Sequence, residues 1–169
     1  MLISLVAAAS ENNVIGKDNK LLWSLPNDTR FFKNTTWAMP VIMGSKTFVS
    51  LNNKPLPGRF NIVVTRHPDA FSTNGVRTAG SLQEAIETAR EADTKEVFVI
   101  GGGQVYKEAL PMADKIVLTR VHTTIDGDAF FPVFSESEWK LVSRIDFPAD
   151  EKHTYAYSFE VWTRLKSGS

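Results

Sequence analysis

Trp23, Ser24, Leu25, Pro26, Asn27, Asp28, Thr29, Arg30, Phe31, Phe32 and Lys33 place a single acid among apolar residues. Pro26 suits the first position of a helix, where its missing N–H costs nothing and its φ is already helical. Phe31 and Phe32 follow Asp28 by three and four residues, so the carboxylate and both rings share one helical face while Arg30 and Lys33 take the other. An ionised acid on a core-facing stripe is expensive unless a cationic or hydrogen-bonding group meets it, and a bound ligand would be such a group. The competing reading needs no ligand: an acid in the first turn interacts favourably with the helix dipole.

A second chemistry is written in glycine. Residues 96–100 are apolar enough for a buried strand and run into Gly101, Gly102 and Gly103, after which Gln104, Val105 and Tyr106 open a helix that Pro111 ends. Glycines let backbone approach a pyrophosphate, and a helix N-terminus aims N–H groups at it. A full dinucleotide fingerprint would have glycine where Tyr106 stands, so the junction is a variant, and a plain tight turn is the alternative. Gly44, Ser45, Lys46 and Thr47 repeat the strand, glycine, helix order. They lack the upstream glycine and the Gly-Lys pair of a Walker A loop, which argues against an ATPase.

The elements that must carry these residues alternate. Residues 2–9 read as a strand buried on both faces, as parallel strands are. Residues 10–24 lack periodicity yet contain Ile15, Leu21, Leu22 and Trp23, which fits a lid that closes over something. Further strands are expected at 40–44, 60–65, 96–100 and 116–121. A helix is expected over 81–90, where Ser81 and Glu84 form a capping-box pattern. Asp126, Gly127 and Asp128 make a turn, and residues 139–147 and 155–162 alternate as an antiparallel edge hairpin.

The whole is 169 residues, enough for one domain with a core. Nineteen basic and nineteen acidic residues cancel, without runs of either sign, which points away from nucleic acid and membrane surfaces and towards a small-molecule partner. The absence of cysteine excludes disulfides, thiol catalysis and thiolate metal sites, and His67, His122 and His153 are not at metal-ligand spacing, so no metal is expected. No basic residue precedes the apolar start, which reads as a first strand rather than a secretion signal, and no run is long enough to span a membrane. A cytoplasmic protein is expected.

Taken in order, the small-residue first strand, the lid with Trp23, the Leu-Pro-x-Asp helix, the Pro-Val-Ile-Met-Gly strand, the Pro-Leu-Pro-Gly-Arg turn and Ile-Gly-Gly-Gly-x-x-Tyr resemble the dihydrofolate reductases over residues 2–162. The resemblance implies an α/β fold: a single domain over 1–163 with a mostly parallel central sheet flanked by helices and a C-terminal antiparallel edge hairpin, then a tail at 164–169. Its last residues look like a frayed end or an artificial extension. It implies NADPH as cofactor, dihydrofolate as substrate, and a monomer. Asp28 matches the family's active-site carboxylate, with Thr119 supporting it and Leu21 and Trp23 in the catalytic lid. Val6, Ala7, Phe32, Leu51, Leu56, Arg59 and Ile100 match the substrate site. Ala8, Ile15, Gly16, Asn19, Gly44, Ser45, Lys46, Thr47, Val64, Thr65, Arg66, Ile100 and Gly101 through Tyr106 match the cofactor site. The Gly102–Gly103 bond corresponds to a cis peptide of the family.

The sequence departs from the family pattern where Ser45 replaces a frequent arginine, Leu22 a frequent proline and Thr29 a frequent leucine, and where a residue is added near Asn52 and Asn53. Two other functions compete: a pyrimidine reductase of riboflavin synthesis, related in fold, and a non-catalytic nucleotide-binding module, which would need no buried acid.

Overall fold

Neighbouring residues in the apolar runs are sorted onto two sides of one sheet. In the computed structural model, which describes residues 1–71 and 75–165, Leu5, Ile42, Ile62, Val97, Val99, Ile116 and Leu118 join one buried cluster. Val6, Val41, Met43, Val63, Phe98 and Val117, one position away in the same runs, join another. This is the two-residue period of a strand covered on both faces, and it explains why the runs show no polar alternation.

The strands are β1 (Leu2–Ser10), β2 (Val14–Gly16), β3 (Pro40–Gly44), β4 (Phe60–Val64), β5 (Val76–Ala79), β6 (Glu96–Val99), β7 (Lys115–Val121), β8 (Ala129–Phe130), β9 (Trp139–Phe147) and β10 (Tyr157–Arg164). Eight form a sheet in the order β5-β4-β3-β6-β1-β7-β10-β9, while β2 and β8 pair separately. The first six of that order run parallel, and β10 lies antiparallel to both β7 and β9. Helices α1 (Pro26–Thr36) and α2 (Ser45–Ser50) bring Phe31, Phe32 and Phe48 to the Val6 cluster; α3 (Leu82–Arg90) and α4 (Gly103–Ala109) bring Ala85, Ile86, Ala89, Val105 and Tyr106 to the other.

The capping box of α3 forms with one shift. Ser81 Oγ accepts from the Glu84 N–H at 3.1 Å, but the Glu84 carboxylate reaches Gly80 N–H at 2.8 Å instead of that of Ser81. Three short strands were not expected. β5 is a four-residue edge whose mixed composition has no period, and it forms because β4 offers an open ladder. β2 lies inside the expected lid and is held by β8, so this segment is partly a ribbon rather than a free loop. The last strand starts at Tyr157, two residues late, because Asp150 and His153 close a backbone turn in the preceding loop. It continues through Arg164, whose guanidinium lies 4.5 Å over the Trp139 ring and donates to the Leu110 and Ala113 carbonyls. The expected frayed end at 166–169 lies outside the described residues. Among those described, no helix is long and apolar enough to cross a membrane, and no cluster of three His, Asp or Glu could hold a metal.

Candidate active site

α1 turns Asp28 inward because Phe31 and Phe32 seek the sheet, leaving Thr29, Arg30, Lys33 and Asn34 exposed on its outer side. β7 answers from below. Val117 packs in the same cluster as Val6, and two residues on, Thr119 points its hydroxyl to the same side and donates to Asp28 Oδ1 at 2.5 Å. Burial raises the Asp28 carboxyl above its ordinary value, and the Thr119 bond opposes that shift. Asp28 makes no capping bond to its own helix and forms no ion pair among the described residues. The carboxylate therefore has acceptor capacity that the fold leaves unspent.

Around it the sequence-expected wall assembles. Val6 is buried and Phe32, Leu51, Leu56 and Ile100 are half-buried members of one cluster, contributed by β1, α1, the end of α2, the following turn and the end of β6. Asn52 and Asn53, both left-handed, follow α2 in the stretch where an added residue is expected. Ala8 pairs with Thr119 across β1 and β7, whereas Ala7 and Ile15 pack together with the opposite cluster.

The Arg59 turn is braced from within. Gly58 has φ +74°, and a Cβ there would lie 2.3 Å from Trp37, so only glycine fits. The buried Asn61 side chain bonds the Leu56 N–H and the Leu56 and Arg59 carbonyls. Arg59 Nε donates to Pro57 O at 2.9 Å and Nη1 to Thr36 Oγ1 at 3.1 Å, while the guanidinium lies 5.5 Å from the Trp37 ring centre. Its Nη2 makes no hydrogen bond among the described residues, and no carboxylate pairs with it there. Partial burial lowers its pKa, yet a guanidinium stays charged.

The glycine junction sits where the chain reverses its path across the sheet. β3 leads outward to β4 and β5, while neighbouring β6 leads through α4 to β7 on the other side of β1. Such a switch point opens a crevice beyond the carboxyl ends of the strands. Gly44 N–H donates to Gly101 O at 2.8 Å across it. Gly101 has φ +128°, a Cβ at Gly101 or Gly102 would meet Thr47 Oγ1 at 3.4 Å, and one at Gly44 would meet Val105 at 3.1 Å. The cis peptide joins Gly101 to Gly102, one bond earlier than the expected Gly102–Gly103; three successive glycines give a sequence reading no way to tell those bonds apart. Tyr106 is buried under β1 and donates its hydroxyl to Val6 O at 2.7 Å, with burial pushing the phenol far above its ordinary pKa. A dinucleotide-fingerprint glycine could not make that bond. Gln104 is exposed and bonds Glu108.

Gly44 and Val64 are register partners in parallel strands, so Ser45, Lys46 and Thr47 leave one strand end beside Thr65 and Arg66 at the next. Lys46 and Arg66 are exposed and free of ion pairs among the described residues; Thr65 is buried and its Oγ1 accepts from His67 N–H.

The lid is tied at its root and again at β2. Arg120 Nη1 donates to Ser10 O and Asn13 Oδ1, and His122 Nδ1 lies 2.5 Å from Glu11 Oε1. The Phe130 carbonyl would be 2.9 Å from a Cβ on Gly103, so β8 presses the lid ribbon against the glycine junction, with Gly16 buried in β2. Further out, Asn19 is exposed in a left-handed turn and Leu21 is 74% exposed, so neither is brought to Asp28. Trp23 is half-buried against Leu25, Val121 and Tyr157. Sequence reasoning did not reach the stacking of Phe31 on Phe159, at 4.1 Å between ring centres, or the bonds of Asn27 to Tyr157 and His153. These depend on strand register, which no local pattern encodes.

An open, mostly parallel sheet with a glycine-lined crevice at its switch point and a half-buried acid beside it defines an α/β enzyme of the nucleotide-crevice class. The dihydrofolate reductase family profile matches residues 2–164. The chain is 46% identical to dihydrofolate reductase type 3 of Salmonella typhimurium, over 98% of this chain and 100% of that one. It is 43% identical to the dihydrofolate reductase of Bacillus subtilis, over 98% and 96%. A solved dihydrofolate reductase from Enterococcus faecalis, complexed with NADP(H), superposes with a TM-score of 0.86 at 38% identity, covering 98% of this chain and 97% of that one. The chain belongs to the dihydrofolate reductase family.

Proposed function

We propose that the protein reduces 7,8-dihydrofolate to 5,6,7,8-tetrahydrofolate with NADPH, and that Asp28 is its one catalytic acid. The observation that carries this reading is the half-buried Asp28 carboxylate, bonded to Thr119 and free of ion pairs among the described residues, at the edge of the apolar wall. A pterin's 2-amino-pyrimidinone edge offers two parallel N–H donors, which a carboxylate accepts as a pair. Val6, Phe32, Leu51, Leu56 and Ile100 hold the ring system and its aminobenzoyl group, with Ala7 contributing through its backbone. Arg59, pre-aimed by Pro57 and Thr36, holds the carboxylate of the glutamate tail with the fork nitrogen that has no partner among the described residues.

The crevice fits the cofactor: Gly44, Gly101 and Gly102 carry no side chains where it opens, and Thr47 Oγ1 faces Gly101 and Gly102. Bound there, NADPH supplies the hydride that reaches C6. Ala8, Ile15, Gly16, Ile100 and Gly101 through Val105 line its nicotinamide and pyrophosphate, with Tyr106 supporting them from the core, Asn19 on the lid, and Gly44 and Val64 at the strand ends. Lys46 and Arg66, with Ser45, Thr47 and Thr65, offer the charges and hydroxyls a 2′-phosphate needs. Asp28, desolvated by its wall, favours protonation of N5, and a water carries that proton because the carboxylate is occupied at the pyrimidine edge. Leu21 and Trp23 belong to the lid that shields this step.

The lack of cysteine fits a reducing, cytoplasmic compartment, and the balanced charge without runs of either sign fits a small substrate as partner; a monomer is what the family resemblance implies. The reading is tested by following NADPH absorbance with dihydrofolate present and with each component omitted. Consumption only in the complete mixture is expected; folded protein that consumes nothing refutes it.

A further inference from the structure

We infer that His153, in the loop between β9 and β10, is a positioning residue for Asp28, acting as the N-terminal cap that α1 lacks. The residue at the cap position is Leu25, whose side chain has no group to accept a hydrogen bond, and Pro26 has no N–H. The first N–H at the start of the helix is that of Asn27, and it donates to His153 Nε2 at 3.2 Å. His153 is 2% exposed, so this bond is shielded from water. The other ring nitrogen, Nδ1, lies 2.8 Å from Asp150 Oδ1. A carboxylate only accepts, so Nδ1 carries the proton and Nε2 presents its lone pair to the helix.

The cap is locked by its surroundings. Asp150 Oδ1 also accepts from the Lys152 N–H, and the His153 bond holds the Asp150 carboxyl below its usual range. The imidazole stacks on Tyr157 at 5.0 Å, and the Tyr157 hydroxyl accepts from Asn27 Nδ2 at 2.8 Å. Asn27 is thus held by backbone and side chain, one residue before the acid. Tyr157 is also the register partner of Val121 in β7, the strand that carries Thr119. Both fixings of Asp28, the helix start and the Thr119 hydroxyl, are therefore referred to one pair of strands. A carboxylate that must meet a two-donor edge tolerates little displacement, because misplacement by about 1 Å can cost orders of magnitude in rate.

This inference rests on the proposed role of Asp28, and the experiment separates the two. His153→Ala removes the acceptor, whereas His153→Gln places an amide oxygen where Nε2 stood. Both are compared with the parent by steady-state kinetics and by amide exchange at Asn27. In the alanine variant, kcat/KM for dihydrofolate should fall about tenfold, the scale of a lost cap. The KM for NADPH should not move, and the Asn27 amide should exchange faster. Glutamine should restore both quantities to within about twofold of the parent. Parental kinetics in the alanine variant, or equal losses in alanine and glutamine, overturn the inference. An active Asp28→Asn variant with normal Asn27 protection overturns instead the reading of Asp28 on which it rests.

Discussion

Asp28 is held where its charge is least welcome to the empty fold and most useful to a ligand. Replacement by asparagine keeps the shape and the oxygen that Thr119 meets while removing the charge. At neutral pH turnover of dihydrofolate should fall about 10²-fold or more, the scale of acid–base effects, and the deficit should shrink in acid, where substrate protonates unaided. Normal turnover at pH 7 would return Asp28 to the rank of a first-turn acid. Stability should move the other way. Burial raises the carboxyl in the folded state, so between its unfolded and folded pKa values the folded state binds more protons than the unfolded chain. Stability then falls as pH rises through that window and stays lower above it. The asparagine variant should melt above the parent at pH 7, and the gap should close below the ordinary carboxylate range; a gap that widens in acid would contradict burial as the dominant cause. Helical spacing made Asp28 and Phe32 legible in the sequence. The bond that Asp28 makes with Thr119 depends on how β7 lies under α1, and the reading supplied that residue only through family resemblance.

At the scale of elements, the site depends on turns more than on helices. Arg59 stands on a turn that only glycine at position 58 allows and that Asn61 braces from β4. Arg59→Lys keeps the charge but loses the planar fork, and the Michaelis constant for dihydrofolate should rise about tenfold while a pterin lacking the glutamate tail is used as before. Equal losses for both substrates would refute tail binding. The stiff Pro-Leu-Pro-Gly turn and the glycine junction announced themselves because few residues tolerate such backbone. β2, β5 and β8 did not, since strands of two to four residues have no period to read and exist only through their partners. His153 likewise drew no notice beyond its lack of metal-ligand spacing, because a cap supplied from a distant hairpin leaves no mark at the helix it serves.

At the scale of the whole molecule, the alternation of strand and helix was enough to expect a mostly parallel sheet, but the strand order was not readable. β1 occupies the interior, with Leu2 beside Glu96 and Ser4 beside Lys115. Parallel neighbours so distant in sequence close large loops before contacts reward them, which slows folding. The consequence concerns birth rather than catalysis. Residues 2–10 leave a ribosome before either partner does, so this apolar segment waits unpaired while residues 11–95 are made. A chain ended at residue 90, before both β6 and β7, should show no protected amides in β1, whereas one extending to residue 165 should protect them; early protection in the short chain would contradict this. Nascent chains of this protein should thus offer helper proteins a sticky segment until those partners emerge.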